Sequence, residues 1–252
     1  MEDRKVAITA LHVEAAKETL ILERRSHIDS LIARLREPRV RRILEPMLAR
    51  TSLPADPLDD DVSYVLGLGL VRVARGELQI ANPIYREVIP RALTWTQQIS
   101  MHQPTEWYVR ADGALDLPKL MTAWQAFWRK DGHLAAEGFG YREAGPHLML
   151  MAFLQRVVNG GGRVEREYGL GRGALDLMIF WNGRRHAIEV KIRRDAETEL
   201  DALDQIARYL DRAGLDEGWL VMFDLRKEPS WADKLFVREV AHAGKTIRIV
   251  GC

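Results

Sequence analysis

The sequence is almost free of cysteine, because the only one among its 252 residues is Cys252. A disulfide framework within the chain is therefore excluded, and sparse cysteine is typical of proteins in the reducing cytoplasm. The charged stretch from Glu2 to Lys5 is not followed by the apolar core of a secretory signal, so no signal peptide is expected. No apolar run approaches the ~20 residues that a membrane-spanning helix needs. We therefore expect a cytoplasmic protein outside the membrane.

The sequence also has almost no net charge and no P-loop. The 37 basic and 36 acidic residues nearly cancel, so overall charge gives no indication of nucleic-acid binding. One local basic cluster is either a nucleic-acid contact or a solvated helix face. It consists of Arg34, Arg36, Arg39, Arg41 and Arg42. No GxxxxGK[ST] segment occurs, so the chain by itself is not expected to bind ATP through a P-loop.

Residues 1–93 have the pattern of a small α-rich domain that contains one β-hairpin. Apolar residues recur at helical spacing in four segments, residues 6–24, 26–37, 40–48 and 60–66. Two short alternating runs surround Arg75-Gly76, and Asn82-Pro83 then begins another helix. Helices combined with a small hairpin indicate a winged-helix domain. Such domains bind DNA in some proteins and only pack against a neighbouring domain in others.

The remainder of the chain has the pattern of an α/β domain. Residues 94–113 are polar and irregular, and we interpret them as a linker. Helices are then predicted at residues 115–130, 142–159 and 196–213, and strands at 163–170, 174–181, 185–192, 219–225 and 246–250. A hairpin followed by a crossover helix predicts, over residues 114–252, a mixed central sheet that is flanked by helices.

The segment from Ala174 to Lys191 places two carboxylates and a lysine in neighbouring apolar strands. Asn182-Gly183 between the strands is a strong signal for a two-residue type I′ turn. Equal steps outward from that turn place Asp176 opposite Glu189. Side chains alternate along a strand, so Lys191 shares the face of Glu189. A four-residue loop would keep this pairing, whereas a loop of odd length would break it.

Two carboxylates that face each other in buried strands need a compensating charge, because like charges destabilise a strand pair and buried unpaired charges are costly. One solution is Mg²⁺ or Mn²⁺, which proteins hold through one or two carboxylates while phosphate and water complete the coordination. Lys191 would then hold an attacking water or stabilise charge that develops on the phosphate. The other solution is a purely structural salt-bridge cluster of Asp176, Glu189 and Lys191.

Asp176 followed by Glu189-Val190-Lys191 on the next strand resembles the motif of the PD-(D/E)xK nuclease superfamily, with Leu175 in the place of proline. The resemblance covers residues 115–250 and implies a restriction-endonuclease-like fold and metal-dependent hydrolysis of DNA. It further implies that Asp176, Glu189 and the Val190 carbonyl bind Mg²⁺ or Mn²⁺. Lys191 is implied to orient the attacking water.

Two helices extend the resemblance. Gln205 and Tyr209 lie one turn apart on one helix face, beside a stripe that we expect to be buried and that consists of Leu203, Ile206, Ala207 and Leu210. A QxxxY pair at this place is similar to the RecB-like branch, where it lies beside the active site and positions the ion or the DNA backbone. Its alternative is an ordinary helix surface. The helix before the sheet often carries a metal-binding glutamate in this superfamily, and Glu143 is the candidate here, with Glu137 as the alternative.

The segments DDDVSYVLGLGLVR and GELQIANPIYREVIPR are similar to the winged-helix tail that follows the ATPase domain in bacterial AAA-type or STAND-like ATPases. This implies that the chain is the C-terminal half of a longer protein or works with a separate ATPase. The expected function is a DNA nuclease coupled to an ATPase, and the nucleases it resembles often form homodimers to cut two strands. Two alternatives remain, a catalytically silent DNA-binding or protein-interaction module and a sequence-specific DNA-binding regulator.

Overall fold

The computed structural model describes residues 26–48, 52–93, 108–137, 139–140, 144–158, 162–169, 174–195 and 197–252, together with residues 12, 16 and 19. The chain divides into two compact units, residues 1–93 and residues 94–252. The helix predicted over residues 6–24 lies outside the described residues, except for the three isolated positions, which are helical. Within the described ranges, no helix has the length and apolar character needed to cross a membrane.

The first unit consists of helices and one β-hairpin. Its described elements are α1 (Ser26–Arg34), α2 (Pro38–Leu48), α3 (Asp60–Gly67), β1 (Val71–Ala74), β2 (Glu77–Ile80) and α4 (Pro83–Leu93). The predicted hairpin is confirmed, since β1 and β2 pair antiparallel around Arg75 and Gly76, which both have positive φ. The predicted helix start is confirmed as well. Asn82 accepts a hydrogen bond from the Tyr85 backbone N–H at 2.9 Å, and such capping satisfies a helix N-terminus.

The arginines of the basic cluster are largely paired with acidic side chains. The Arg42 guanidinium lies 2.6 Å from the Asp61 carboxylate and also contacts Asp59. Further pairs join Arg34 to Glu37, Arg39 to Asp61 and Arg41 to Glu45. Much of the positive charge is balanced within the unit, which favours the solvated helix face over a nucleic-acid contact.

The second unit is an α/β domain around a six-stranded mixed sheet. Its helices are α5 (Leu117–Phe127), a π-helix (Trp128–Gly132), α6 (His133–Glu137), α7 (Ala144–Val158), α8 (Glu197–Ala213) and α9 (Trp231–Lys234). Its strands are β3 (Gly162–Gly169), β4 (Ala174–Trp181), β5 (Arg184–Ile192), β6 (Glu217–Phe223), β7 (Val237–His242) and β8 (Lys245–Gly251). The order is β3-β4-β5-β6-β8-β7, with β5, β6 and β8 parallel and the other pairs antiparallel. The predicted mixed α/β sheet is confirmed.

Helices supply the apolar cover for the sheet. The buried stripe of α8, which includes Ile206 and Leu210, packs against Met178, Ala187 and Leu220 of three strands. Phe223 lies on the other face, since side chains alternate along β6. There it contacts the rings of Trp124 and Trp128, at centroid distances of 6.0 Å and 4.7 Å. The strands that carry the carboxylates are therefore central and buried.

The turn between β4 and β5 fixes how these two strands align. Asn182 and Gly183 have φ of 45° and 75°, as a type I′ turn requires. Trp181 pairs with Arg184, and the same register continues to Leu177 opposite Ile188. The predicted two-residue loop is confirmed, and with it the alignment that brings Asp176 and Glu189 together.

Replacing Gly183 by alanine should lower the free energy of unfolding by about 1–2 kcal/mol, because a Cβ disfavours the left-handed conformation. Gly67 is the control, because its φ is ordinary and no atom lies within 4 Å of an added Cβ. Urea denaturation of both variants measures the difference. An equal loss in Gly67→Ala, or none in Gly183→Ala, would contradict the turn assignment.

Candidate functional site

Two of the few buried charged side chains lie on neighbouring strands. Asp176 of β4 is 5% exposed and Glu189 of β5 is fully buried. Both lie just past Leu177 and Ile188, the last residues that pair in this part of the ladder. The pairing between β4 and β5 therefore ends immediately before the two carboxylates.

Each carboxylate takes a hydrogen bond from the backbone of the other strand. The Val190 N–H donates to Asp176 Oδ2 at 2.8 Å, and the Asp176 N–H donates more weakly to Glu189 Oε2 at 3.4 Å. The carboxylates thus replace carbonyl acceptors at the end of the ladder, where buried N–H groups need partners. These bonds hold the two carboxylates beside each other.

A lysine and a glutamine converge on Glu189. The Lys191 ammonium lies 3.1 Å from Glu189 Oε1, and the lysine side chain is 27% exposed. The Gln205 amide donates to the same oxygen at 2.7 Å and contacts the Tyr209 hydroxyl at 3.2 Å. The structure therefore brings together Asp176, Glu189, Lys191, Gln205 and Tyr209, which the sequence places on two strands and one helix.

The helix α8 buries one side against the sheet, and this orientation places Gln205 and Tyr209 near the carboxylates. Leu203, Ile206, Ala207 and Leu210 are all at most 6% exposed and face the sheet. This confirms the predicted stripe. Gln205 and Tyr209 lie next to the stripe, half-buried, and so reach the carboxylates above β5. The bond from Gln205 to Glu189, and the contact of Tyr209 with Gln205, distinguish the two side chains from an ordinary exposed helix surface.

The remaining predicted ligands have different positions. Glu143 lies outside the described residues. Its alternative, Glu137, is exposed at the end of α6 and lines a separate pocket. Val190 is buried, and its N–H donates to Asp176 Oδ2. Across the described ranges, no group of three or more His, Cys, Asp or Glu residues is arranged to hold a metal ion.

The carboxylate pair nevertheless fits the donor chemistry of a Mg²⁺ or Mn²⁺ site. Such ions use one or two protein carboxylates and keep water or substrate phosphate as their other ligands. Comparison with protein-family models, curated proteins and solved structures gives no match to this chain.

Replacing Gln205 by alanine should lower the free energy of unfolding by about 1–3 kcal/mol, because the buried Glu189 Oε1 loses a donor. Arg208→Ala is the matched control, since Arg208 is exposed on the same helix. Chemical denaturation should show almost no change for that variant. Equal stability of the two variants would mean that Gln205 does not support the buried carboxylate.

Proposed function

We propose that the chain is a Mg²⁺- or Mn²⁺-dependent nuclease of the PD-(D/E)xK superfamily that hydrolyses phosphodiester bonds of DNA. The observation that carries the proposal is the buried pair of Asp176 and Glu189, with Lys191 at 3.1 Å from Glu189. A structural core does not need two facing carboxylates, whereas metal-assisted phosphoryl chemistry does.

The element order supports the same proposal. The helix α7 precedes the strands β3, β4 and β5, and α8 then crosses to β6, which lies parallel to β5. This order agrees with the restriction-endonuclease-like fold that the sequence motif implies. The QxxxY pair of α8 contacts the carboxylate site, as expected of the RecB-like branch.

The residues of the site have separate roles in the proposed reaction. Asp176 and Glu189 would hold the ion through carboxylate oxygens, and Val190 through its backbone carbonyl. The bound ion would activate water and neutralise charge on the phosphate. Lys191 reaches the same face and is partly exposed, so its ammonium can donate a hydrogen bond to the attacking water or to a phosphate oxygen. Gln205 donates to Glu189 and contacts Tyr209, and the two side chains would position the ion or the DNA backbone.

For the first unit we propose a winged-helix module that binds DNA or couples the nuclease to an ATPase. The support is the two-stranded hairpin β1–β2 between the helices α3 and α4. An ATPase in the same longer chain or in a partner would supply the nucleotide chemistry that this sequence lacks.

A second candidate function is a catalytically silent interaction module within an ATPase assembly. One observation favours it, since Lys191 and Gln205 both engage Glu189 Oε1. A structural salt-bridge cluster would make the same contacts. The nuclease is expected to cleave DNA in Mn²⁺ or Mg²⁺, whereas the silent module is not.

Cleavage of supercoiled plasmid and of end-labelled single-stranded DNA in Mn²⁺ tests the nuclease directly. We expect the purified chain to cut at least one substrate, and we expect excess EDTA to stop the reaction. Added Mn²⁺ should restore it. Failure of the folded protein to cut either substrate in Mn²⁺ or Mg²⁺ would reject the nuclease and leave the silent module.

A further inference from the structure

A separate pocket of about 280 Å³ lies beyond the end of β6. Its volume is near the lower end of the ~300–1,000 Å³ that is usual for small-ligand sites. The π-helix and α6 form one side, and residues 224–234 form the other. Glu137 lines it, whereas Asp176, Glu189, Lys191, Gln205 and Tyr209 do not. It is nevertheless close to the carboxylate site along the strands, because Lys191 pairs with Met222, and Asp224 of the pocket follows two residues later.

Two rings from the two sides meet in the pocket. The half-buried Trp231 ring makes an edge contact with the His133 imidazole, with centroids 5.1 Å apart and an interplanar angle of 66°. The His133 Nδ1 lies 3.0 Å from the Trp128 carbonyl, which can only accept, so Nδ1 carries the proton. Trp128 begins the π-helix, a rare element that is frequent at functional sites.

The side formed by residues 224–234 also carries cations. Lys234 donates to the Arg226 carbonyl, and its ammonium lies 5.6 Å from the Trp231 ring centroid. Lys227 is exposed and forms no ion pair with any residue in the described ranges. Arg226 is neutralised by Asp224, which it contacts at 2.9 Å and 2.6 Å through two nitrogens. The two lysines therefore contribute positive charge next to an aromatic ring.

We propose that this pocket binds a nucleotide, with the base against Trp231 and the phosphate held by Lys227 and Lys234. Aromatic rings stack on the faces of all bases, and lysine ammonium groups bind phosphate as point charges. An aromatic ring beside two ammonium groups recognises a ligand in which a flat ring is joined to a negative charge. The nucleotide is either free or an unpaired unit of a DNA strand. The idea that a DNA strand supplies the nucleotide rests on the proposed function. The recognition of a base and a phosphate by this pocket does not rest on it.

Binding measured in EDTA separates this proposal from cleavage. The full chain is titrated with dAMP and with a short single-stranded deoxyadenylate oligonucleotide, and tryptophan fluorescence is followed. Trp231→Ala should weaken binding about fivefold or more, because base stacking is lost, and Trp231→Phe should restore most of it. Lys227→Ala should reduce the slope of log K against log salt for the oligonucleotide by about 0.7, the value for one single-strand phosphate.

Lys245→Ala is the matched control, because Lys245 begins β8 at the opposite end of the sheet and pairs with Asp216. It should bind like the wild type. Binding of the oligonucleotide but not dAMP identifies a strand as the ligand, and binding of both identifies the nucleotide unit itself. The proposal is overturned if neither ligand binds, or if Trp231→Ala and Lys227→Ala bind as the wild type does. If the protein binds these ligands in EDTA but never cuts DNA in Mn²⁺, the nuclease proposal is rejected and the pocket proposal stands.

Discussion

Replacing Lys191 by alanine should lower the rate of Mn²⁺-dependent DNA cleavage by at least about a hundredfold. The ammonium of Lys191 contacts the carboxylate pair directly, at 3.1 Å from Glu189 Oε1. Removal of one donor that stabilises developing charge typically costs ~10²–10³ in rate. Initial rates of plasmid nicking at saturating Mn²⁺ measure the effect, and Lys245→Ala serves as the control with an unchanged rate.

A loss of folding must be separated from a loss of chemistry in this variant. Lys191→Ala also removes an ion-pair partner from the fully buried Glu189, so thermal unfolding is measured on the same preparation. Lys191→Arg keeps the charge but replaces a compact ammonium by a planar group, and it should recover only part of the rate. A folded Lys191→Ala protein that cuts at the wild-type rate would exclude Lys191 from the reaction.

Replacing Trp124 by alanine should lower the free energy of unfolding of the second unit by about 3–5 kcal/mol, the usual cost of truncating a buried aromatic side chain. Trp124 is fully buried. Its ring meets those of Phe127, Phe153 and Phe223 at centroid distances of 5.7, 5.4 and 6.0 Å. Removal of the Trp124 ring would leave a cavity on the face of the sheet opposite α8.

Urea denaturation followed by circular dichroism measures this loss. Leu134→Ala is the control, because Leu134 is 60% exposed and should change stability by less than about 0.5 kcal/mol. A Trp124→Ala variant as stable as the Leu134→Ala variant would mean that the aromatic cluster does not form the second layer of the core.

The site hairpin could be predicted because its determinants are local. Asn182-Gly183 fixes the turn, the turn fixes the register, and alternation along β5 places Lys191 on the face of Glu189. The apolar stripe of α8 likewise fixes which way Gln205 points. The backbone bonds from Val190 to Asp176 and from Asp176 to Glu189 have no signal in residue types, since every residue except proline carries an N–H.

Elements that depend on tertiary contact cannot be predicted from the local sequence pattern. The strand β7 pairs with β8 at the sheet edge, and its Val237, Arg238 and Glu239 are exposed, so it lacks apolar alternation. The helix α9 has only four residues, although the Ser230 capping box closes its start. The polar character of residues 108–113 predicts a linker, but Tyr108 among them is fully buried. The pocket was missed because segments about one hundred residues apart form its walls.

The most direct test of the account is whether Asp176 and Glu189 hold a divalent cation. Mn²⁺ binding to the folded chain is measured by electron paramagnetic resonance for the wild type, Asp176→Asn and the control Asp224→Asn, whose carboxylate pairs with Arg226. We expect the wild type and Asp224→Asn to bind Mn²⁺ equally and Asp176→Asn to bind at least about tenfold more weakly. Absence of binding by the wild type, or equal binding by Asp176→Asn, would contradict a metal site at the carboxylate pair.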